Sequence, residues 1–246
     1  MITAPGSRDR PGRRGVEGRR VWTAVAASLV LAATACARPP ATAAGTPTPY
    51  QPTSTEQAFL DTLSRRTFDW FWQTANPANG LVPDRWPTKS FSSVASIGFA
   101  LTAYPIGVER GWITREQARD RTLTTLRFLW NAPQGPGTTG VTGYKGFFYH
   151  FLDMETGLRF ERVELSTIDT ALLLAGALTC REYFDGRDAA DSTIRALADS
   201  LYYRVDWQWA MDGGETMSMG WHPETGLENH TPGGFIVSRW NGYNEA

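Results

Sequence analysis

The chain has 246 residues, 41% hydrophobic and 20% charged, with a formal net charge of −1. That length suits one or two domains with a sizeable core. A balanced net charge gives no sign of the basic face that a nucleic-acid partner would want, and 2 cysteines cannot build a disulfide framework.

Residues 1–36 read as an export signal and not as part of a fold. Arg8, Arg10, Arg13, Arg14, Arg19 and Arg20 precede the apolar run Val21–Ala35, which is too short for a typical spanning helix. Ala33-Thr34-Ala35-Cys36 resembles a lipobox, in which Cys36 becomes a lipidated first residue and anchors the protein to a membrane. Plain cleavage near Ala35 is the other reading. Either one places the protein in the periplasm or at the cell surface. Residues 37–53, rich in Pro, Thr and Ala, predict a disordered or polyproline-like tether.

The folded part is expected over residues 54–246. Ser54 with Gln57 predicts a capping box that opens a first helix, and Phe59, Leu63, Trp70 and Phe71 keep helical spacing as far as Asn76-Pro77. A largely apolar second helix spans Ser93 to Val108. Thr114 with Gln117 opens a third, to about Trp130, followed by a glycine-rich loop, Gln134 to Gly146. An aromatic hairpin is expected from Phe147 to Phe160, turning at Glu155-Thr156-Gly157. A fourth helix follows from Ser166 to Phe184 and a fifth from Asp188 to Arg204. A second hairpin, Trp207 to Leu227, carries Trp207, Trp209 and Trp221, and a sixth helix is expected from about Asn241. Cys180, mid-helix among apolar neighbours, reads as a buried inert thiol.

Glu155-Thr156-Gly157-Leu158 recurs as Glu224-Thr225-Gly226-Leu227, and Ser96–Leu101 echoes Thr167–Leu172, both at a spacing of about 70 residues. Repeated helix pairs predict a stacked, all-α architecture. If the stack closes it is an α/α toroid, with the apolar even-numbered helices inside and the hairpins shaping one open mouth. Six helices make about half of a six-pair ring. The expectation is therefore an incomplete N-terminal portion.

The segments GLVPDRW, SIGFALTAYPIGVERGWITREQA, GFFYHFLDMETG, ELSTIDTALLLAGAL, YFDG, MGWHPETG and RWNGYNEA together resemble the glucoamylase-like domain family, which includes bacterial endo-β-1,2-glucanases. The resemblance runs from about Phe59 to Ala246 and implies an (α/α)6 toroid acting on glycosidic bonds. It implies a glycoside hydrolase of a glucan, with endo-β-1,2-glucanase the best single assignment. Two alternatives stay open: a non-catalytic carbohydrate-binding surface lipoprotein, and a glucan transglycosylase.

Glycoside hydrolysis requires one protonated and one ionised carboxyl. Glu245, at the expected start of the sixth helix, is the candidate general acid. The partner carboxylate is expected beyond Ala246, so this chain alone is expected to be inactive or nearly so. Candidate substrate-binding residues are Glu164, Asp169, Asp153, His150, Tyr149, Trp221 and Trp240. The carboxylates and His150 would hydrogen-bond hydroxyls, and the rings would stack on pyranose faces. Asp169 lies three residues after Ser166, so a helix-cap role competes with a binding role. Three histidines without compact spacing offer no metal site. The motifs imply no cofactor. The expected partner is an oligo- or polysaccharide.

Overall fold

The computed structural model describes residues 50–87 and 91–242. Cys36 and Glu245 lie outside the described residues, as does most of the expected sixth helix. Asn241 and Gly242 are described and are not helical. Five long helices and several short strands follow one another: α1 (Ser54–Thr74), β1 (Phe91–Ser93), α2 (Val94–Glu109), α3 (Arg115–Asn131), β2 (Gly143–Tyr144), β3 (Phe147–Tyr149), β4 (Phe151–Asp153), β5 (Leu165–Ser166), α4 (Thr167–Tyr183) and α5 (Ala189–Arg204). A single helical turn, α6 (Trp207–Ala210), and β6 (Gly220–Trp221) complete the order.

The helices form two layers. α2 and α4 pack on each other most extensively, while α3 and α5 pack together on their outer side and α1 rests on α2. Glycine permits the inner contact. A Cβ added at Gly98 would lie 2.3 Å from the Leu172 carbonyl oxygen, and one at Gly176 would lie 2.1 Å from the Gly98 oxygen. The two inner backbones therefore touch directly at this crossing.

Pro105 sits inside α2 and has no N–H to give to the Leu101 carbonyl four residues back. Cys180 of α4 fills the gap, its Sγ donating to Leu101 O at 3.1 Å. Burial pushes that thiol up to about 12, so it is a structural donor and not a nucleophile.

Several element ends differ from expectation. The α1 capping box is Thr53 with Glu56, one residue earlier than Ser54 with Gln57. Thr53 has extended backbone, which brings its hydroxyl to the Glu56 amide, and Gln57 bonds Asp61 instead. Phe59 and Leu63 are 64% and 51% exposed, so the periodic stripe of early α1 faces solvent. The Thr114–Gln117 box forms as expected.

The expected hairpin Phe147–Phe160 is split between two sheets. β4 pairs with β1, whereas β3 joins a four-stranded sheet of order β2-β3-β5-β6. His150 is the single residue between β3 and β4. The fold-back survives only from Phe151 onward, where the Phe160 amide donates to Phe151 O at 3.0 Å. The second expected hairpin is replaced by α6 and β6, because Asp206 caps the Trp209 amide and starts a helical turn. The repeated Glu-Thr-Gly-Leu segments share a left-handed glycine, with φ of +70° at Gly157 and +71° at Gly226.

Each inner helix continues directly from a strand, β1 into α2 and β5 into α4. The strand ends thus meet the helix N-termini at one end of the fold.

Candidate functional site

The site grows from the register of β3, β5 and β6. Tyr149 pairs with Leu165, and Leu165 pairs with Trp221. These three side chains form one row pointing into the core, all under 9% exposed. Side chains alternate across a strand, so the next residues, His150, Glu164 and His222, form a second row on the opposite face. The His150 amide donates to Glu164 O at 2.9 Å and holds the row in register. Gly220 leaves space for Glu164, since a Cβ there would lie 3.1 Å from Glu164 Cγ.

Glu164 Oε1 lies 2.8 Å from His150 Nδ1. The other ring nitrogen, Nε2, is 3.7 Å from Asp169 Oδ1, in the first turn of α4. Burial raises the pKa of Glu164, but the His150 hydrogen bond and charge outweigh it and leave the carboxyl below its ordinary value. Burial likewise opposes charge on His150, yet the Glu164 bond and the Asp169 and Glu164 charges lift its pKa above the usual histidine value. Glu164 is therefore an ionised acceptor at neutral pH, suited to holding a hydroxyl or activating water. A group that must donate a proton needs the opposite shift.

Asp169 has a double role. Its Oδ2 accepts the Ser166 hydroxyl at 2.5 Å, and Ser166 Oγ accepts the Asp169 amide at 3.2 Å, a reciprocal cap on α4. Oδ1 is left facing His150. Trp240 lies beside the same helix start, its indole N–H donating to Thr167 Oγ1 at 2.9 Å, and it is half-buried.

The other proposed contacts fall elsewhere. Tyr149 is 0% exposed and Trp221 8%, so neither offers a ring face to a sugar in this structure. Trp221 donates to Gly233 O and packs on Tyr144 and Trp209. Asp153 is consumed by its own turn, accepting from the Glu155 and Thr156 amides and the Thr156 hydroxyl. The Thr156 amide in particular holds its carboxyl below the usual range. Glu155 is exposed.

The partly exposed aromatic surface beside His150 consists of residues the sequence reading passed over. Phe151 stacks on His150 with centroids 3.9 Å apart, and Phe91 contacts both Phe151 and Phe160. Arg85 lies over Phe91. Strand alternation would send Phe151 to the face opposite His150, so no local signal marked this contact.

Among the described residues no group of three or more His, Cys, Asp and Glu side chains is placed to hold a metal ion. A cleft along α1 is lined by Asp61, Arg65, Asp69, Arg110 and Trp112. Its charges pair across it, Arg65 with Asp69 and Arg110 with Asp61, and none of its residues belongs to the row at the strand ends.

No protein-family model matches the chain. An exo β-1,2-glucooligosaccharide sophorohydrolase (non-reducing end) of Parabacteroides distasonis is 28% identical over 174 residues, 68% of this chain and 23% of the relative. A crystal structure assigned as a glucoamylase from Bacteroides fragilis superposes with a TM-score of 0.63 at 28% identity, covering 79% of this chain and 46% of that one. The chain is similar to the glucoamylase-like proteins in sequence and in fold. The endo-β-1,2-glucanase of Chitinophaga pinensis, solved with sophorotriose and glucose, shares the fold at a TM-score of 0.58 and 23% identity over 68% of this chain and 41% of that one. The chain thus spans under half the length of these relatives.

Proposed function

We propose that this chain is part of an exported glycoside hydrolase acting on a β-1,2-linked glucan. The observation that carries this reading is Glu164, held ionised beside His150 and Asp169 at the open strand ends of a glucoamylase-like fold. A partly exposed aromatic cluster of Phe91, Phe151 and Phe160 adjoins it, the kind of surface on which sugar faces stack. The relatives named for β-1,2-glucan chemistry supply the linkage. Two layers of helices, with α2 and α4 inside, support an arc of an (α/α)6 toroid.

Glu164 and Asp169 would accept hydroxyl protons of the substrate, and Trp240 would stack against a ring. Glu245 is assigned the general acid on the sequence resemblance alone. Because the chain covers 23% of the curated relative, binding with little turnover is the expected behaviour of these residues by themselves.

The test is calorimetry with sophorotriose, using cellobiose and maltose as linkage controls. Sophorotriose should bind selectively, and Glu164→Gln should weaken it about tenfold or more, the loss of a charge-assisted hydrogen bond. Equal binding of all three sugars, or none, would sink the reading. Incubation with β-1,2-glucan separates the alternatives. Short oligosaccharides mean hydrolysis and elongated or cyclised chains mean transglycosylation. Binding with no product from a longer form that carries both carboxyls fits a carbohydrate-binding module. Glu245→Gln should remove any turnover and spare binding.

A further inference from the structure

A second charged cluster adjoins the row. The Arg159 side chain is 1% exposed and forms a two-pronged bond to Glu224, Nη1 to Oε1 at 2.9 Å and Nη2 to Oε2 at 3.1 Å. It also donates to Val163 O and Thr138 O and lies 4.5 Å over the Tyr149 ring. This guanidinium is fixed from every side. Its Nη2 also lies 3.4 Å from Nδ1 of His222.

Arginine can only donate, so Nδ1 of His222 must accept, and the ring proton belongs on Nε2. Glu224 Oε2 is 3.5 Å from the same Nδ1, too long and poorly aligned for an Nδ1–H donation to it. Burial together with the nearby His230 and Arg159 charges depresses the His222 pKa, in keeping with a neutral ring. His222 Nε2 has no hydrogen-bond partner among the described residues and is not among the buried unpartnered atoms. The side chain as a whole is 15% exposed. An N–H donor therefore stands unused next to Glu164, on the side away from His150.

We propose that His222 is a further substrate-binding residue, a neutral imidazole whose Nε2–H donates to a glucan hydroxyl, with Arg159 and Glu224 as positioning residues that set its tautomer. The inference rests on the glucan reading above. It makes Glu164 the centre of a three-point hydroxyl site, with His150 on one side and a neutral donor on the other. A vicinal diol of a glucosyl unit fits such a site, one hydroxyl giving its proton to Glu164 while its neighbour accepts from His222.

The experiment is a nitrogen-15 imidazole spectrum of the full chain at neutral pH, with and without sophorotriose. The expected result is a neutral His222 with its proton on Nε2, and a shift of that signal on titration. His222→Phe should weaken sophorotriose affinity about tenfold, while His222→Gln, which can place an amide N–H near the same point, should stay within about threefold. A proton on Nδ1, or on both nitrogens, would overturn the proposal. So would a silent His222 signal in a titration that moves the Trp240 indole resonance. If no resonance of the chain responds to sophorotriose, the glucan reading itself fails and this proposal fails with it.

Discussion

His150 couples the candidate site to stability, and the coupling has a definite sign. Its folded pKa lies above the ordinary value of 6.5. The stabilisation from its charged form is therefore complete below that value and is lost as pH rises through the folded pKa. Glu164 works from the other side, with a folded pKa below 4.5, so its contribution is present above that value and lost as pH falls through the folded one. The ion pair should contribute most in mildly acidic solution. His150→Gln should lower the melting temperature more at pH 5.5 than at pH 8.5, and equal losses at both would remove the ion pair as the cause. His222 has the opposite slope, because its neutral form is the one the fold favours. At this scale the sequence showed which residue types mattered but not which way they point. His150, Glu164 and Asp169 were legible as polar groups beside an apolar helix. Tyr149 and Trp221 were not separable from them, because facing direction depends on strand register. Pairing Tyr149 with Leu165 and Leu165 with Trp221 sends all three inward, and that pairing is non-local. The same register brings His222 to the row from more than fifty residues away in the chain.

Helices were the most legible elements, since capping chemistry and apolar periodicity are local signals. The strands were hardest, being two or three residues long and sustained by partners distant in sequence. The α2–α4 crossing shows what a local reading cannot supply. Gly98 and Gly176 look like ordinary helix-weakening residues until the two backbones are seen to touch. Gly98→Ala should raise helix propensity in isolation. In the folded chain its Cβ would sit 2.3 Å from Leu172 O and 2.8 Å from Leu173 Cα, both backbone atoms with no rotamer to yield. The steric term should win, with a net loss of about 2 kcal/mol or more. Urea unfolding would show a lower midpoint at unchanged slope. A midpoint at or above wild type would mean that the helices separate without cost.

The two-layer arrangement leaves the inner helices covered on one side only. On α2, Phe99 is 53% and Ile106 49% exposed, two helical turns apart on the same face, with Ala95 and Ala103 partly exposed beside and between them. On α4, Ile168, Leu172 and Ala175 continue the pattern, none of them fully buried. Early α1 adds Phe59, Leu60 and Leu63. Single exposed apolar residues are ordinary on a protein surface, but contiguous stripes on adjacent helices are not. In water such a surface lowers its free energy by finding another apolar face. The purified chain should therefore self-associate, its weight-average mass in sedimentation velocity rising with concentration. Phe99→Glu combined with Ile106→Lys should suppress that rise. Both side chains point to solvent, so the double substitution should leave the melting temperature nearly unchanged, which distinguishes loss of association from loss of fold. A chain that stays monomeric across the accessible concentration range would show that the α2 and α4 stripes are tolerated in water, and association measured on any longer form would then need another surface.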